Sequence, residues 1–204
     1  MSFYDRHVLP SVIGCACRSR AIMRQRAKLI PEAAGEVLEV GIGGGANLRF
    51  YDPARVRAVH GVDPSEGLRR QAEAAPRPEG MKLHVRDGSA EALPYEDDRF
   101  DTVVCTFVLC SVASPERALA EARRVLKPGG RLLFCEHGLA PDRQVARFQR
   151  KLEPVWSSLA GGCRLTRAVL PHIEAAGFTP GPVHQRYMRK APKFVGWITW
   201  GAAA

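Results

Sequence analysis

Apolar residues recur along this chain as short, nearly continuous runs at 37–40, 58–62, 81–86, 100–107 and 132–135, separated by polar, glycine- or proline-bearing stretches. Runs of that kind predict strands buried on both faces, as in a parallel sheet. Between them the spacing turns helical. Pro64-Ser65 opens a helix to about residue 75, and Pro76-Arg77-Pro78 stops it because proline cannot continue the hydrogen-bond ladder. Ser114, followed by Pro115, caps a second helix with Leu119, Ala122, Val125 and Leu126 on one face, halted at Lys127-Pro128-Gly129-Gly130. Thr166 predicts the cap of a third, which Gly177 ends. Beyond Pro180-Gly181-Pro182, runs at 183–188 and 194–199 lie a short loop apart and predict an antiparallel hairpin, its Phe194, Trp197 and Trp200 expected in the core. Residues 141–164 are expected to be an irregular insertion, where ligand specificity would lie. Residues 2–30 mix Phe3, Tyr4, Leu9, Ile13, Ile22 and Leu29 with Arg18, Arg20, Arg24, Arg26 and Lys28, predicting an amphipathic helical segment.

Strands alternating with helices predict an α/β domain around a mostly parallel sheet. With 204 residues, 46% of them apolar, the chain can bury one full core and requires no second domain. The net charge of +9 admits nucleic acid, anionic lipid or an acidic ligand as partner. Arginine is scattered rather than massed, so a solvated basic surface is expected and a nucleic-acid face is not. The six cysteines, at 15, 17, 105, 110, 135 and 163, show no Cys-x-x-Cys spacing, so no metal site is expected and the buried ones read as small apolar side chains. Free thiols suit a reducing cytoplasm. No run of eighteen apolar residues exists, so no membrane span is expected.

Chemistry concentrates where the first strand meets Gly41, Gly43, Gly44 and Gly45. Glycine there opens backbone angles closed to other residues and allows close approach to a flat adenosine group. Asp63, at the end of the next run, is placed to accept ribose hydroxyls. Both features fit a dinucleotide as well. Against a nicotinamide stand Glu39, a carboxylate inside the strand where burial demands a donor, and the lack of a Tyr-x-x-x-Lys proton-transfer pair.

Glu39-x-Gly41-x-Gly43-x-Gly45, Asp63, Gly88-Ser89-Ala90, Phe100-Asp101 and Leu126-Lys127-Pro128-Gly129-Gly130 occur in the order of the motifs of class I S-adenosylmethionine (SAM)-dependent methyltransferases, which the chain resembles over about residues 35–180. Cys105 to Val112, Glu136-His137 and Gly162 to Thr166 are similar to the thiol methyltransferase branch. The resemblance implies a Rossmann-like, doubly wound, mostly parallel seven-stranded sheet with a C-terminal antiparallel hairpin. It implies an amphipathic lid at 1–34 and a methyltransferase domain at 35–204. SAM is the implied cofactor, held by Glu39, Gly41, Gly43, Gly45, Asp63, Pro64, Ser89, Ala90 and Thr106, with Ser89 where the family often has aspartate.

The implied reaction moves a methyl group to a small nucleophile, foremost a thiol sulfur. His137 is then the candidate base and Tyr4 its neighbour, while a His-Glu pair at a strand end also reads as a structural link. A phospholipid amine or quinone carbon at an anionic membrane is the alternative acceptor, with the basic amphipathic start as peripheral contact. Arsenite is a further one if cysteines 105, 110, 135 and 163 converge. Outside the class stand a nicotinamide oxidoreductase and a SAM-binding module without catalysis.

Overall fold

The structure, a computed structural model, describes residues 17–204. Helix α1 (Arg20–Leu29) leads into the sheet strands β1 (Gly35–Val40) and β2 (Val56–Val62). Helix α2 (Glu66–Ala74), strands β3 (Lys82–Arg86) and β4 (Phe100–Thr106), helix α3 (Pro115–Val125) and strand β5 (Leu126–His137) follow. The chain then adds α4 (Arg143–Leu159), α5 (Val169–Ala175), β6 (Pro180–Tyr187), the single turn α6 (Lys193–Gly196) and β7 (Trp197–Ala203). The seven strands lie in the order β3-β2-β1-β4-β5-β7-β6. The first five are mutually parallel, and β7 runs antiparallel to both β5 and β6. This is the expected doubly wound sheet with its antiparallel closing hairpin.

Alternation along the central strands sends side chains into two cores. Leu38, Val103, Leu132 and Phe134 meet Leu119, Val125 and Ile173 from α3 and α5 on one face. Val37, Val59, Val104 and Leu133 meet Leu29, Ala72 and Ala75 from α1 and α2 on the other. The helix starts are those the sequence announces: Ser65 and Ser114 accept from the backbone N–H of Leu68 and Arg117. Order reversal between β1 and β4 opens a crevice at the carboxyl ends of the strands, where α/β sheets collect ligands.

Three expectations shift. The segment 141–164 is not irregular; it holds the 17-residue α4, capped by Asp142, which accepts from Gln144 and Val145. Thr166 caps no helix, because its N–H and hydroxyl both donate to Glu153, and α5 begins only at Val169. In the closing hairpin, residues 193–196 form the turn α6, so β7 starts at Trp197, and Trp197 and Trp200 are half-buried.

Glu39, on β1, is buried to 1% exposure beneath the glycine loop. Asn47 Nδ2 and the Tyr51 hydroxyl donate to its two oxygens, at 2.8 Å each. Thr106 and Arg26 join through Asn47, which donates to Thr106 Oγ1 and accepts from Arg26. Burial pushes the Glu39 carboxyl up to about 7 despite these donors and the Arg26 cation. A folded state that holds this proton more tightly than the unfolded chain loses stability as pH rises from about 4.5 to about 7, and the loss is complete above that window. Glu39→Gln should remove this component. Urea unfolding at pH 5 and pH 8 should show the variant gaining on the wild type by on the order of 3 kcal/mol at the higher pH; equal pH slopes would contradict the assignment.

Candidate functional site

The crevice above β1 and β4 is a cleft of about 580 Å³. Its floor is the loop after β1. Gly41 has φ +63°, and a Cβ there would stand 2.5 Å from Val108 Cγ2, so both conformation and space require glycine. Gly43 is different: φ is +53°, but a Cβ would meet nothing nearer than Gly41 O at 4.0 Å. The space over Gly43 is therefore open to a ligand. Gly45 faces the protein, where a Cβ would come within 3.0 Å of Ala75, Leu48 and Ala72. That glycine seats the loop on α2 and does not line the cleft.

Asp63, 6% exposed at the end of β2, fixes the same loop from the side. Its Oδ2 accepts from Gly43 N–H and its Oδ1 from Ser65 N–H, both at 2.9 Å. Burial raises its pKa, opposed by those two N–H groups. Pro64, Ser65, Ser89 and Ala90 continue this wall. Ser89 accepts from Glu91 N–H and leaves its hydroxyl at the exposed edge. Thr106, at the end of β4, closes the far side. Of the nine residues expected to hold the cofactor, seven line one cleft. Glu39 and Gly45 do not; they support the loop from beneath.

Sequence reasoning missed what α1 and the residues just before it bring. Cys17, Arg18 and Arg26 line the cleft. Arg26 is only 4% exposed, and its Nη1 donates at 2.7 Å to Asn47 Oδ1 and Thr106 Oγ1, while its guanidinium lies over the Phe107 ring. Its hydrogen-bond partners are neutral, and its Nε has none. Arg18 donates to Gly44 O across the loop. An amphipathic reading treats such arginines as a solvated face; only the docking angle of α1 reveals one turned inward. Phe107, at the same wall, has φ +56°, an unfavourable angle for an aromatic residue and a departure of the kind that collects at functional sites.

His137 is 9% exposed and does not line the cleft. Its Nε2 lies 3.0 Å from Cys163 Sγ. Burial, the largest single influence, lowers its pKa, but the hydrogen bond and charge of Cys163 together with the Glu136 and Glu153 carboxylates outweigh it, and the net shift is upward. Glu136, beside it, is not an exposed base either. Its carboxylate accepts the backbone N–H groups of Val108, Leu109 and Cys110, and burial still raises its pKa. Tyr4 lies outside the described residues. The four cysteines do not converge as a set. Cys105 sits in the core beside α3 and Cys135 in the opposite core, with burial pushing the Cys135 thiol up to about 12, while Cys110 and Cys163 meet near His137.

Residues 38–134 match the family model for a methyltransferase domain. The thiol S-methyltransferase TMT1B of Rattus norvegicus is 40% identical over 147 residues, a match covering 70% of this chain and 59% of that protein. Its Homo sapiens counterpart is 36% identical over 173 residues, covering 83% of this chain and 69% of that one. A phosphatidylethanolamine N-methyltransferase of Cereibacter sphaeroides is 32% identical over 171 residues, covering 79% and 81%. In fold, an S-adenosylmethionine dependent methyltransferase from Mesorhizobium loti superposes with a TM-score of 0.69 at 20% identity, over 91% of this chain and 98% of that one. The chain thus spans about three fifths of the rat relative's length.

The glycine loop yields a direct comparison. Gly41→Ala must both adopt a left-handed angle and displace Val108, so urea unfolding should show roughly 3 kcal/mol of destabilisation. Gly43→Ala carries only the angular cost and should lose about 1 kcal/mol. Equal losses would mean that contact with Val108 does not set the loop.

Proposed function

The chain belongs to the SAM-dependent methyltransferases, and from that premise we propose that it methylates the sulfur of a small thiol. What supports the acceptor is the 36–40% identity to thiol S-methyltransferases over 147 and 173 residues, together with a cleft that offers cations and no exposed strong base. SAM is the cofactor, and the cleft fits it. The open space over Gly43 admits a close ligand, Asp63 keeps acceptor capacity for ribose hydroxyls, and Arg26 is a buried cation with neutral partners, suited to the carboxylate of the amino-acid end. Ser89 and Ala90 would flank the base. SAM supplies a methyl group on a sulfonium, already joined to its leaving group.

The protein then has mainly to align and to exclude water. A thiol must lose its proton, since the thiolate is the nucleophile. The proton passes to solvent as the thiol enters, and Arg18 lowers the cost of the resulting anion without a dedicated base. His137, behind the wall, holds Cys163 and the cleft loops in this reading, and base catalysis by His137 with Tyr4 stands as the rival. Residues 1–34 act as the lid in this reading, in keeping with Arg18 reaching over Gly44 and Arg26 entering the cleft. Exclusion of water follows from that cover.

A second reading has one observation of its own. Helix α4 exposes Phe148 and Val155, at 50% and 60%, beside the exposed cations Arg147, Arg150 and Lys151. Such a face suits anionic lipid at a membrane surface. No helix among the described residues is long and apolar enough to cross a membrane.

The purified chain, incubated with SAM and a panel of alkyl thiols, phenols, quinones and phosphatidylethanolamine vesicles, should release S-adenosylhomocysteine with the thiols. Turnover confined to lipid or quinone would replace the thiol reading. Asp63→Asn should weaken calorimetric binding of S-adenosylhomocysteine by about 10- to 100-fold, through loss of charged hydrogen bonds. His137→Gln should keep the pH dependence of methyl transfer; loss of the acid-side limb would restore His137 as base. Sedimentation with anionic but not zwitterionic vesicles is expected if α4 meets lipid, and lack of both would remove that contact.

A further inference from the structure

Three side chains outside the cleft chemistry meet behind its wall. Cys110 lies on the loop after β4, His137 at the end of β5 and Cys163 in the turn after α4. Their sulfur, nitrogen and sulfur atoms lie within 4.8 Å of one another, and all three residues are buried. We propose that Cys110, His137 and Cys163 form a zinc site, three protein ligands that fasten the inner wall of the cleft around one ion. The inference is independent of which acceptor the enzyme methylates.

The donor set suits zinc: two thiolates and an imidazole are borderline-soft ligands, and hard oxygen-seeking cations have no carboxylate in this group. Geometry is close to what an ion needs. Zinc at about 2.3 Å from sulfur and about 2.0 Å from nitrogen separates tetrahedral ligand atoms by about 3.5–3.8 Å. Contacts spread over less than 4.8 Å reach that spacing with small side-chain moves, and the 3.0 Å His137–Cys163 contact would open by about half an ångström.

Two further observations favour a ligand over a plain buried pair. Among the described residues, the Nε2 of buried His137 meets the Cys163 sulfur, a soft donor, and no carboxylate or carbonyl. The Trp156 indole N–H donates to Cys163 Sγ at 3.3 Å, an outer-shell contact that stabilises a thiolate. Hydrogen bonds bring the ligand-bearing segments together, so that an ion would tighten a site already assembled. Arg164 N–H donates to Cys110 O at 2.9 Å, Arg167 donates to the carbonyls of Leu109 and Val112, and Glu136 collects the N–H groups of residues 108–110. The ligands come from positions 110, 137 and 163, a spacing that no local metal motif has, which is why the sequence hides them. Within the described residues no fourth His, Cys, Asp or Glu joins the group, which makes three protein ligands there.

The test uses the whole chain, produced in zinc-supplemented medium, purified under a phosphine reductant without chelator, and assayed by elemental mass spectrometry. About one zinc per chain is expected, with loss of the metal lowering the melting temperature. Cobalt(II) replacement should give a thiolate-to-cobalt charge-transfer band, absent in Cys110→Ser and Cys163→Ser and retained in Cys135→Ala. Should the serine variants fail to fold, alkylation of the wild type mapped by peptide mass spectrometry decides: zinc should slow modification of Cys110 and Cys163 but not of Cys17. A wild-type protein that stays metal-free after zinc loading overturns the proposal, as does a cobalt band that survives the serine substitutions or alkylation that zinc leaves unchanged.

Discussion

Carboxylates placed at the carboxyl ends of parallel strands, and buried there, organise this molecule. A buried carboxylate without donors costs several kilocalories per mole, so each must draw hydrogen-bond donors to itself. Glu39 at β1 draws the side chains of Asn47 and Tyr51, which lie beyond the glycine loop and bend the chain back. Asp63 after β2 draws Gly43 and Ser65, joining that loop to the start of α2. Glu136 on β5 gathers three consecutive N–H groups from the loop after β4. In each case the loop shape follows from the need to satisfy an anion, and the three loops together are the cleft. The opposite end of the sheet uses the same device: Asp101 accepts from Glu36 N–H and from Lys127 Nζ, binding strand starts together away from any ligand.

How far the sequence discloses this depends on whether the signal is local. The runs of apolar residues, the serine caps and the glycine loop are encoded within a few positions, and the sheet, α2, α3 and the cleft floor are legible from them. Glu39 announces itself as an anomaly in a strand, but its partners Asn47 and Tyr51 do not, so its place beneath the glycine loop is not legible. Helix α4 is obscured because Pro154 and the glycines beyond it suggest a loop, whereas Asp142 supplies a proper cap and Gln149 fastens its inner face. That glutamine accepts from Ala140 N–H and donates to the carbonyls of Gly138, Leu165 and Phe194. Nothing in local spacing predicts a polar residue with no exposed surface in that role.

The same distinction explains the charges. A net charge of +9 invites thought of a polyanion, and most of the arginines are indeed at the surface. The buried cation of the cleft is the exception. Arg26 sits on a helix whose other arginines, Arg20 and Arg24, are exposed, and only the tertiary angle that seats Leu29 and Ile30 in the core turns Arg26 toward Thr106. Removing a guanidinium from water and pairing it with neutral oxygens is unfavourable unless an anion completes the set. Within the protein the buried Glu39 carboxyl, reached through Asn47, supplies part of that charge, and under the proposed function the SAM carboxylate would supply the rest.

The inner wall differs from the floor in how it is assembled. The floor is one continuous loop, fixed by conformation at Gly41 and by packing at Gly45. The wall is made of three segments far apart in the chain, residues 107–112, 136–138 and 161–167, and beside the packing of Leu109 and Leu165 polar groups join them: Glu136, Gln149, Arg167 and the cluster around Cys163. Polar supports of this kind are directional, so they hold a surface in one shape while leaving Ser111, which faces the cleft, open to change without loss of the fold. A family that shares a cofactor and differs in acceptor needs that division, because the part that binds the shared group must be rigid in sequence and the part that meets the acceptor must not be.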